Sequence, residues 1–216
     1  MKSYLLHLIR NMPCEGNLEG RYIGRTESPL AESSVEQLLQ LKREHPFPQA
    51  DAFFASPHTR CVDTLKLLYP WADPEVVLEL AECDFGDWDG KTAQELRGEP
   101  GFPEWMAGGG QTSPPNGESS PVFVQRVCDG FELLAQSILA RGLTRSVLVA
   151  PAGVLTTILA ACGLPKAPPT DWLCDPGFGY TLRITPSLWM RGRVAEVIDM
   201  VPIPMEELAG KQEAEK

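Results

Sequence analysis

The chain predicts a three-layer α/β/α sandwich with a mixed, mainly parallel sheet at its centre. Two observations carry that prediction: short, mainly apolar runs of strand length at residues 4–10, 51–55 and 146–150, and stretches of helical periodicity between them. Alternation of strand and helix buries a sheet between two helical layers. Each run ends in a loop, and open α/β sheets bind ligands beyond the carboxyl ends of their strands, so the three loops should converge on one site.

The elements follow in chain order. Residues 4–10 read as the first strand. Ser33 or Ser34 suits the N-cap of a helix whose Val35, Leu38 and Leu39 recur at helical spacing. Asp51 to Ala55 reads as a strand, and the helix after Thr59 carries Val62, Leu65, Leu68 and Tyr69 on one face. Residues 98–121 are rich in Gly, Pro and Ser and read as a loop inserted over the site. A longer helix from about Val122 to Ala140 shows Val124, Val127, Phe131, Leu134 and Leu139 as its apolar stripe, followed by the strand at 146–150. Two further strands are expected near Tyr180 to Ile184 and Val194 to Met200.

With 216 residues and 43% hydrophobic content the chain can bury one sizeable core. A single domain over residues 1–204 is expected, ahead of a polar tail at 205–216 that frays. The formal charge of −10 gives no general attraction to nucleic acid or to an anionic membrane, so neither is expected as a partner and any anion site must be built locally. The apolar run Tyr4 to Ile9 is too short for a signal sequence and is interrupted by His7, and no stretch is long enough to span a membrane. Cys14, Cys61, Cys83, Cys128, Cys162 and Cys174 form no Cys-x-x-Cys pair and have no histidines at zinc spacing. The expectation is a reduced, cytoplasmic protein with no metal and no cofactor; a homodimer is left open.

Five stretches carry a more specific signal. They are Arg10-Asn11-Met12-Pro13-Cys14-Glu15-Gly16-Asn17 with Gly20-Arg21-Tyr22-Ile23-Gly24; Ser56-Pro57-His58-Thr59-Arg60; Leu80-Ala81-Glu82 running to Phe85-Gly86-Asp87-Trp88-Asp89-Gly90; Asn116-Gly117-Glu118-Ser119 with Arg126; and Ala150-Pro151-Ala152-Gly153-Val154. In this order they resemble the histidine phosphatase (phosphoglycerate mutase-like) superfamily, nearest in appearance to its α-ribazole phosphatase-like small phosphomonoesterases. The resemblance implies a phosphohistidine mechanism, in which an imidazole nitrogen attacks phosphorus while a second histidine and two arginines stabilise the transferring group.

The resemblance also assigns roles. Asn11 stands at the nucleophile's position and Pro151 at the second histidine's. Arg10 and Arg60 match the phosphate-clamping arginines, Asn17 the amide that donates to the same oxygens, and Glu82 the acid that protonates the leaving group. Arg21 matches a substrate-loop arginine, and the backbone N–H of Gly153, opening a helix, favours an anion. An amide nitrogen is neither basic nor nucleophilic, and proline offers no side-chain donor. The leading expectation is therefore a degenerate member that binds phosphate or a phosphorylated small molecule without phosphohistidine turnover. Two alternatives stand beside it: an active phosphomonoester hydrolase using another mechanism, and a scaffold with a vestigial pocket.

The remaining candidates have plainer readings. His7 is a packed core histidine, His45 a loop residue, and His58, near Arg60, the one histidine placed to approach the pocket edge. Cys14 is a small loop filler, since the Cys-x5-Arg spacing of thiolate phosphatases is absent. Arg25 reads as a surface ion-pair residue.

Overall fold

The computed structural model describes residues 2–107, 112–204 and 207. Seven strands form one sheet: β1 Tyr4–Arg10, β2 Ala52–Ala55, β3 Glu75–Val76, β4 Arg145–Ala150, β5 Gly163–Leu164, β6 Gly179–Ile184 and β7 Ala195–Val201. Their order is β3-β2-β4-β1-β6-β7-β5. Among them only β6 runs against the rest, pairing antiparallel with β1 and β7. The helices are α1 Glu15–Leu18, α2 Glu32–Glu44, α3 Thr59–Leu68, α4 Ala93–Leu96, α5 Phe102–Met106, α6 Ser120–Arg141, α7 Ala152–Cys162 and α8 Pro186–Gly192.

Strand alternation splits the core in two, because successive side chains point to opposite faces of the sheet. Leu6 and Leu8 of β1, Phe54 of β2 and Leu148 and Ala150 of β4 face one cluster, which α6 and α7 cover with Val127, Phe131, Ile138, Val154 and Ile158. Ile9, Ala55, Val147 and Val149 face the other, covered by Leu38 of α2 and Cys61, Leu65 and Leu68 of α3. Fully burying each large aliphatic or aromatic side chain contributes roughly 1.5–3 kcal/mol. The sandwich thus rests on runs that are apolar on both faces, which a sheet covered on both sides requires.

Several expectations are corrected in detail. α2 begins earlier than a serine cap would place it: its N-cap is Ala31, and Ser34 is buried inside the first turn. The entry is fixed instead by the backbone, through a bridge between Cys14 and Leu30 and an Ala31 N–H donating to the Pro13 carbonyl. The stripe of α6 is shifted by one residue at both ends, with Phe123 and Ile138 buried and Val124 43% exposed. Gly142, with φ +71°, ends that helix in the left-handed region glycine tolerates. β3 and β5, two residues each, are too short to leave a periodic signal.

Part of the segment at 98–121 is helical. Phe102 and Trp105 of α5 pack with Trp88, Tyr22 and Phe85 in a small aromatic core apart from the two main ones. Gly108 to Gly110, and the polar tail apart from Glu207, lie outside the described residues.

Candidate active site

The sheet register decides what meets what. β1 and β4 are parallel neighbours with Arg10 opposite Ala150, and the Asn11 N–H donates to the Ala150 carbonyl at 3.2 Å. Asn11 and Pro151 therefore leave the sheet side by side. β2, on the far side of β4, delivers the loop Ser56–His58 and then Arg60 in the first turn of α3. Around this edge lies a cavity of about 300 Å³, lined by Arg10, Asn11, Pro13, Asn17, Ile23, Arg60, Glu82, Pro151 and Ala152.

Two cations form its floor. Arg60 is 2% exposed; its Nη2 donates to the carbonyls of Ile23 and Gly24 at 3.2 and 2.9 Å, and its Nη1 is buried with no protein acceptor. Arg10 donates from Nη1 to the Cys174 carbonyl at 2.6 Å. Neither forms an ion pair with a carboxylate among the described residues. Buried guanidinium N–H groups left without acceptors are costly, and an entering oxyanion would satisfy them.

Asn17 closes one wall. Its Oδ1 accepts from the Cys14 N–H and thiol at 3.3 and 3.1 Å, which uses the acceptor and leaves the Nδ2 donors for the cavity. Cys14 itself is fully buried at the N-cap of α1, a packing role. Asn11 is turned the other way: its Nδ2 donates to the Met12 carbonyl at 2.7 Å, so its amide donor is partly spent on its own loop.

Glu82 is the cavity's carboxyl group. Dense surroundings raise its pKa, while the Cys83 N–H at 2.9 Å, the Arg60 charge and the Gly153 N–H pull the other way. Gly153 sits in the first turn of α7, where a Cβ would lie 2.7 Å from Glu82 Oε1, so a side chain there would push the Glu82 carboxyl group aside. The Gly153 N–H, expected to favour a ligand anion, lies close enough to the Glu82 carboxyl group to lower its pKa. Behind Glu82, Arg126 donates to the carbonyls of Glu79, Ala81 and Glu82 and pairs with Glu118 at 2.7 Å. This strap fixes the segment that carries Glu82 to α6.

Two of the remaining candidates are structural. His58 is 4% exposed; its Nε2 accepts the Glu82 N–H at 3.0 Å, and its Nδ1 lies 3.5 Å from a Glu27 carboxylate oxygen. Burial, then the Arg60 charge, lowers its pKa from 6.5 to about 4. It supports Glu82 from behind and is not among the residues lining the cavity. His7 bonds Thr181 at 3.0 Å inside the sheet, and burial holds its pKa at about 4.

Arg21 is not brought to the cavity. Its Nε pairs with Glu19 at 2.7 Å, and its Nη1 reaches the Gly90 carbonyl and Glu95. Arg25 pairs with Asp84 at 3.3 Å and is half exposed. Among the described residues no cluster of His, Cys, Asp and Glu is placed to hold a metal, and no helix is long and apolar enough to cross a membrane.

Residues 6–190 match the sequence model of the histidine phosphatase superfamily (branch 1). The chain belongs to that superfamily. The adenosylcobalamin/α-ribazole phosphatase of Escherichia coli K-12 is 26% identical over 177 residues, covering 80% of this chain and 86% of its own length. The protein of the same name from Salmonella typhimurium LT2 is 33% identical over 129 residues, covering 56% of this chain and 62% of that relative. The crystal structure of the α-ribazole phosphatase from Shigella flexneri superposes with a TM-score of 0.70 at 25% identity, over 84% of this chain and 90% of that one. Within this superfamily member, the sequence placed His58 near the pocket edge and Arg126 in a signature stretch but gave neither its supporting role, and it gave nothing of Cys174 beneath Arg10. The signals were the places of His58 two residues before Arg60 and of Arg126 after Asn116-Gly117-Glu118-Ser119.

Proposed function

We propose that this chain binds the phosphoryl group of a small phosphomonoester in the Arg10–Arg60 cavity and performs no phosphohistidine turnover. The observation that carries the binding reading is the buried Arg60 guanidinium, which among the described residues has no carboxylate partner and an Nη1 without an acceptor, beside a cavity of about 300 Å³. The names of the relatives support an α-ribazole-type phosphomonoester as the ligand. The absence of phosphohistidine turnover follows from Asn11 and Pro151, since neither side chain can accept a phosphoryl group. Six free cysteines fit a reduced, cytoplasmic setting.

A second reading has its own support, and the comparisons weigh toward it: the similar proteins are named phosphatases, and Glu82 places a carboxyl group of raised pKa in the cavity. In that reading water attacks phosphorus over the arginine clamp and Glu82 protonates the leaving oxygen. Two measurements decide. Calorimetry with inorganic phosphate should give weak binding, near millimolar or about −4 kcal/mol. Loss of a covalent nucleophile costs on the order of 10⁶ in kcat, so p-nitrophenyl phosphate should be left intact and no acid-labile phosphoenzyme should form. Turnover at about 1 s⁻¹ or more, abolished by Arg60→Ala, would establish the hydrolase instead. No phosphate binding at roughly ten times the expected dissociation constant would leave only a scaffold.

A further inference from the structure

Asp89, in the stretch Phe85-Gly86-Asp87-Trp88-Asp89-Gly90, has no part in the lining of the anion cavity, yet its carboxylate accepts three backbone N–H groups. Oδ1 accepts from Gly24 at 3.0 Å, and Oδ2 from Arg25 and Thr26 at 2.8 and 2.9 Å. The Gly24 N–H shares a peptide group with the Ile23 carbonyl, and the Arg25 N–H shares one with the Gly24 carbonyl. Those two carbonyls are the acceptors of Arg60 Nη2. Two peptide groups therefore stand in line between a carboxylate and a guanidinium, each donating to the first and accepting from the second. Among the described residues neither Asp89 nor Arg60 has a direct ionic partner.

The fold holds this arrangement from both ends. Trp88 is buried against Phe102 and Trp105 in the aromatic core, which fixes Asp89 as the next residue along. The Gly90 N–H donates to the Tyr22 carbonyl and the Tyr22 N–H to the Lys91 carbonyl, so the chain leading into Ile23 and Gly24 is laid along the chain leaving Asp89. At Gly24 a Cβ would collide with the Cys83 carbonyl and the Phe85 ring, and this close approach of two backbones requires glycine.

We propose that Asp89 is the counter-ion of Arg60 across these two peptide groups, and the residue that positions Arg60 for anion binding. The proposal rests on the binding reading above. A carboxylate in direct contact would neutralise Arg60 and occupy the donors a phosphate needs. Hydrogen bonds in series instead polarise one another, so the Asp89 charge makes the Ile23 and Gly24 carbonyls stronger acceptors. They hold Nη2 in place, and Nη1 is left without an acceptor among the described residues.

Calorimetry with inorganic phosphate and NMR of the arginine side chains test this. Removing a carboxylate near the cavity would tighten anion binding if long-range repulsion were its only effect, and positioning predicts the reverse. Asp89→Asn, the isostere, should weaken phosphate binding about tenfold and shift the Arg60 Nη2 proton resonances upfield, while those of Arg10, held by the Cys174 carbonyl, stay in place. Asp89→Glu, larger but still charged, should keep most of the affinity, a split that a space-filling role would reverse. In the unaltered protein, scalar coupling through the hydrogen bonds should link the Gly24 and Arg25 amide nitrogens to the Asp89 carboxylate carbon; its absence from both amides would overturn the proposal even if Asp89→Asn did not fold. Phosphate binding unchanged or tighter in folded Asp89→Asn, or weaker in Asp89→Glu than in Asp89→Asn, would overturn it as well. Failure of the unaltered protein to bind phosphate would instead remove the binding reading, and the Arg60 resonances of Asp89→Asn would then decide the counter-ion alone: displaced, it stands; unmoved, it falls.

Discussion

Arg60 and Arg21 both sit in stretches that resemble phosphate-handling sequences, and the fold treats them in opposite ways. Arg60 is buried, donates only to neutral carbonyls and retains an Nη1 with no acceptor. Arg21 is partly exposed and spends its donors on Glu19, Glu95 and the Gly90 carbonyl. A guanidinium already neutralised by carboxylates in water gains little from a phosphate, whereas one held out of water beside neutral acceptors gains much. The difference teaches that an arginine's presence in a signature says less about anion binding than what it is already paired with.

The largest expected effect comes from removing the unpaired floor. Arg10→Ala with Arg60→Ala should abolish phosphate binding, because each charge-assisted hydrogen bond is worth about 1.5–3 kcal/mol and the starting affinity is weak. Calorimetry on the folded double variant checks this, with circular dichroism confirming the fold. Unchanged binding would mean that the floor and rim arginines do not differ in the way described.

The next effect concerns the framework beneath the floor. His58 and His7 are each held near pKa 4, against 6.5 in the unfolded chain. Between those values the unfolded chain binds more protons, so stability is lost as pH falls from about 6.5 toward 4, by up to about 1.4 kcal/mol per pH unit for each histidine. Protonating His58 also turns the acceptor of the Glu82 N–H into a donor. Thermal denaturation should therefore show a midpoint falling through this window, less steeply in His58→Gln.

These contrasts also mark how far the sequence carries. The two-faced apolar runs at residues 4–10 and 146–150 announce a covered parallel sheet, and their following loops announce Asn11, Arg10 and Pro151 at one edge. Arg60 was legible as a residue just past a strand, and Glu82 through the resemblance alone. The fates of Arg21 and Gly153 were not. Arg21 is held by Glu19, two positions away, and by Glu95, 74 positions along the chain, and the Gly153 N–H lies near the Glu82 carboxyl group across the fold. Pairings of that range depend on how loops settle after the sheet forms, and no local pattern encodes them. The support of Arg10 Nη1 by the Cys174 carbonyl spans 164 positions and uses only the backbone of Cys174, so the residue type at 174 gave no hint of it.

A smaller effect tests the carboxyl group in the cavity. Burial raises the Glu82 pKa, so the folded state favours its neutral form, and the corresponding stability is present at low pH and lost as pH rises through the raised value. Glu82→Gln fixes this group in a neutral form at every pH. It should tighten phosphate binding at alkaline pH, above the raised value where Glu82 is ionised, by removing the repulsion of one carboxylate in a cavity shared with two arginines, and the gain should vanish as the solution is acidified. Calorimetry at alkaline and acid pH measures both.

The smallest effect is the one that closes the comparison. Arg21→Ala removes a rim cation whose partners Glu19 and Glu95 are both exposed, and exposed ion pairs contribute little because water and salt screen them. Phosphate affinity should therefore stay within about twofold of the unaltered protein, and it should do so at low salt, where long-range attraction by a surface cation would be most visible. Stability should fall only slightly, through the lost bond to the Gly90 carbonyl. A tenfold loss of phosphate affinity in Arg21→Ala would mean that this arginine leaves Glu19 and Glu95 when ligand arrives and swings over the cavity. The rim would then be part of the site, and the distinction between paired and unpaired arginines would hold only for the empty protein.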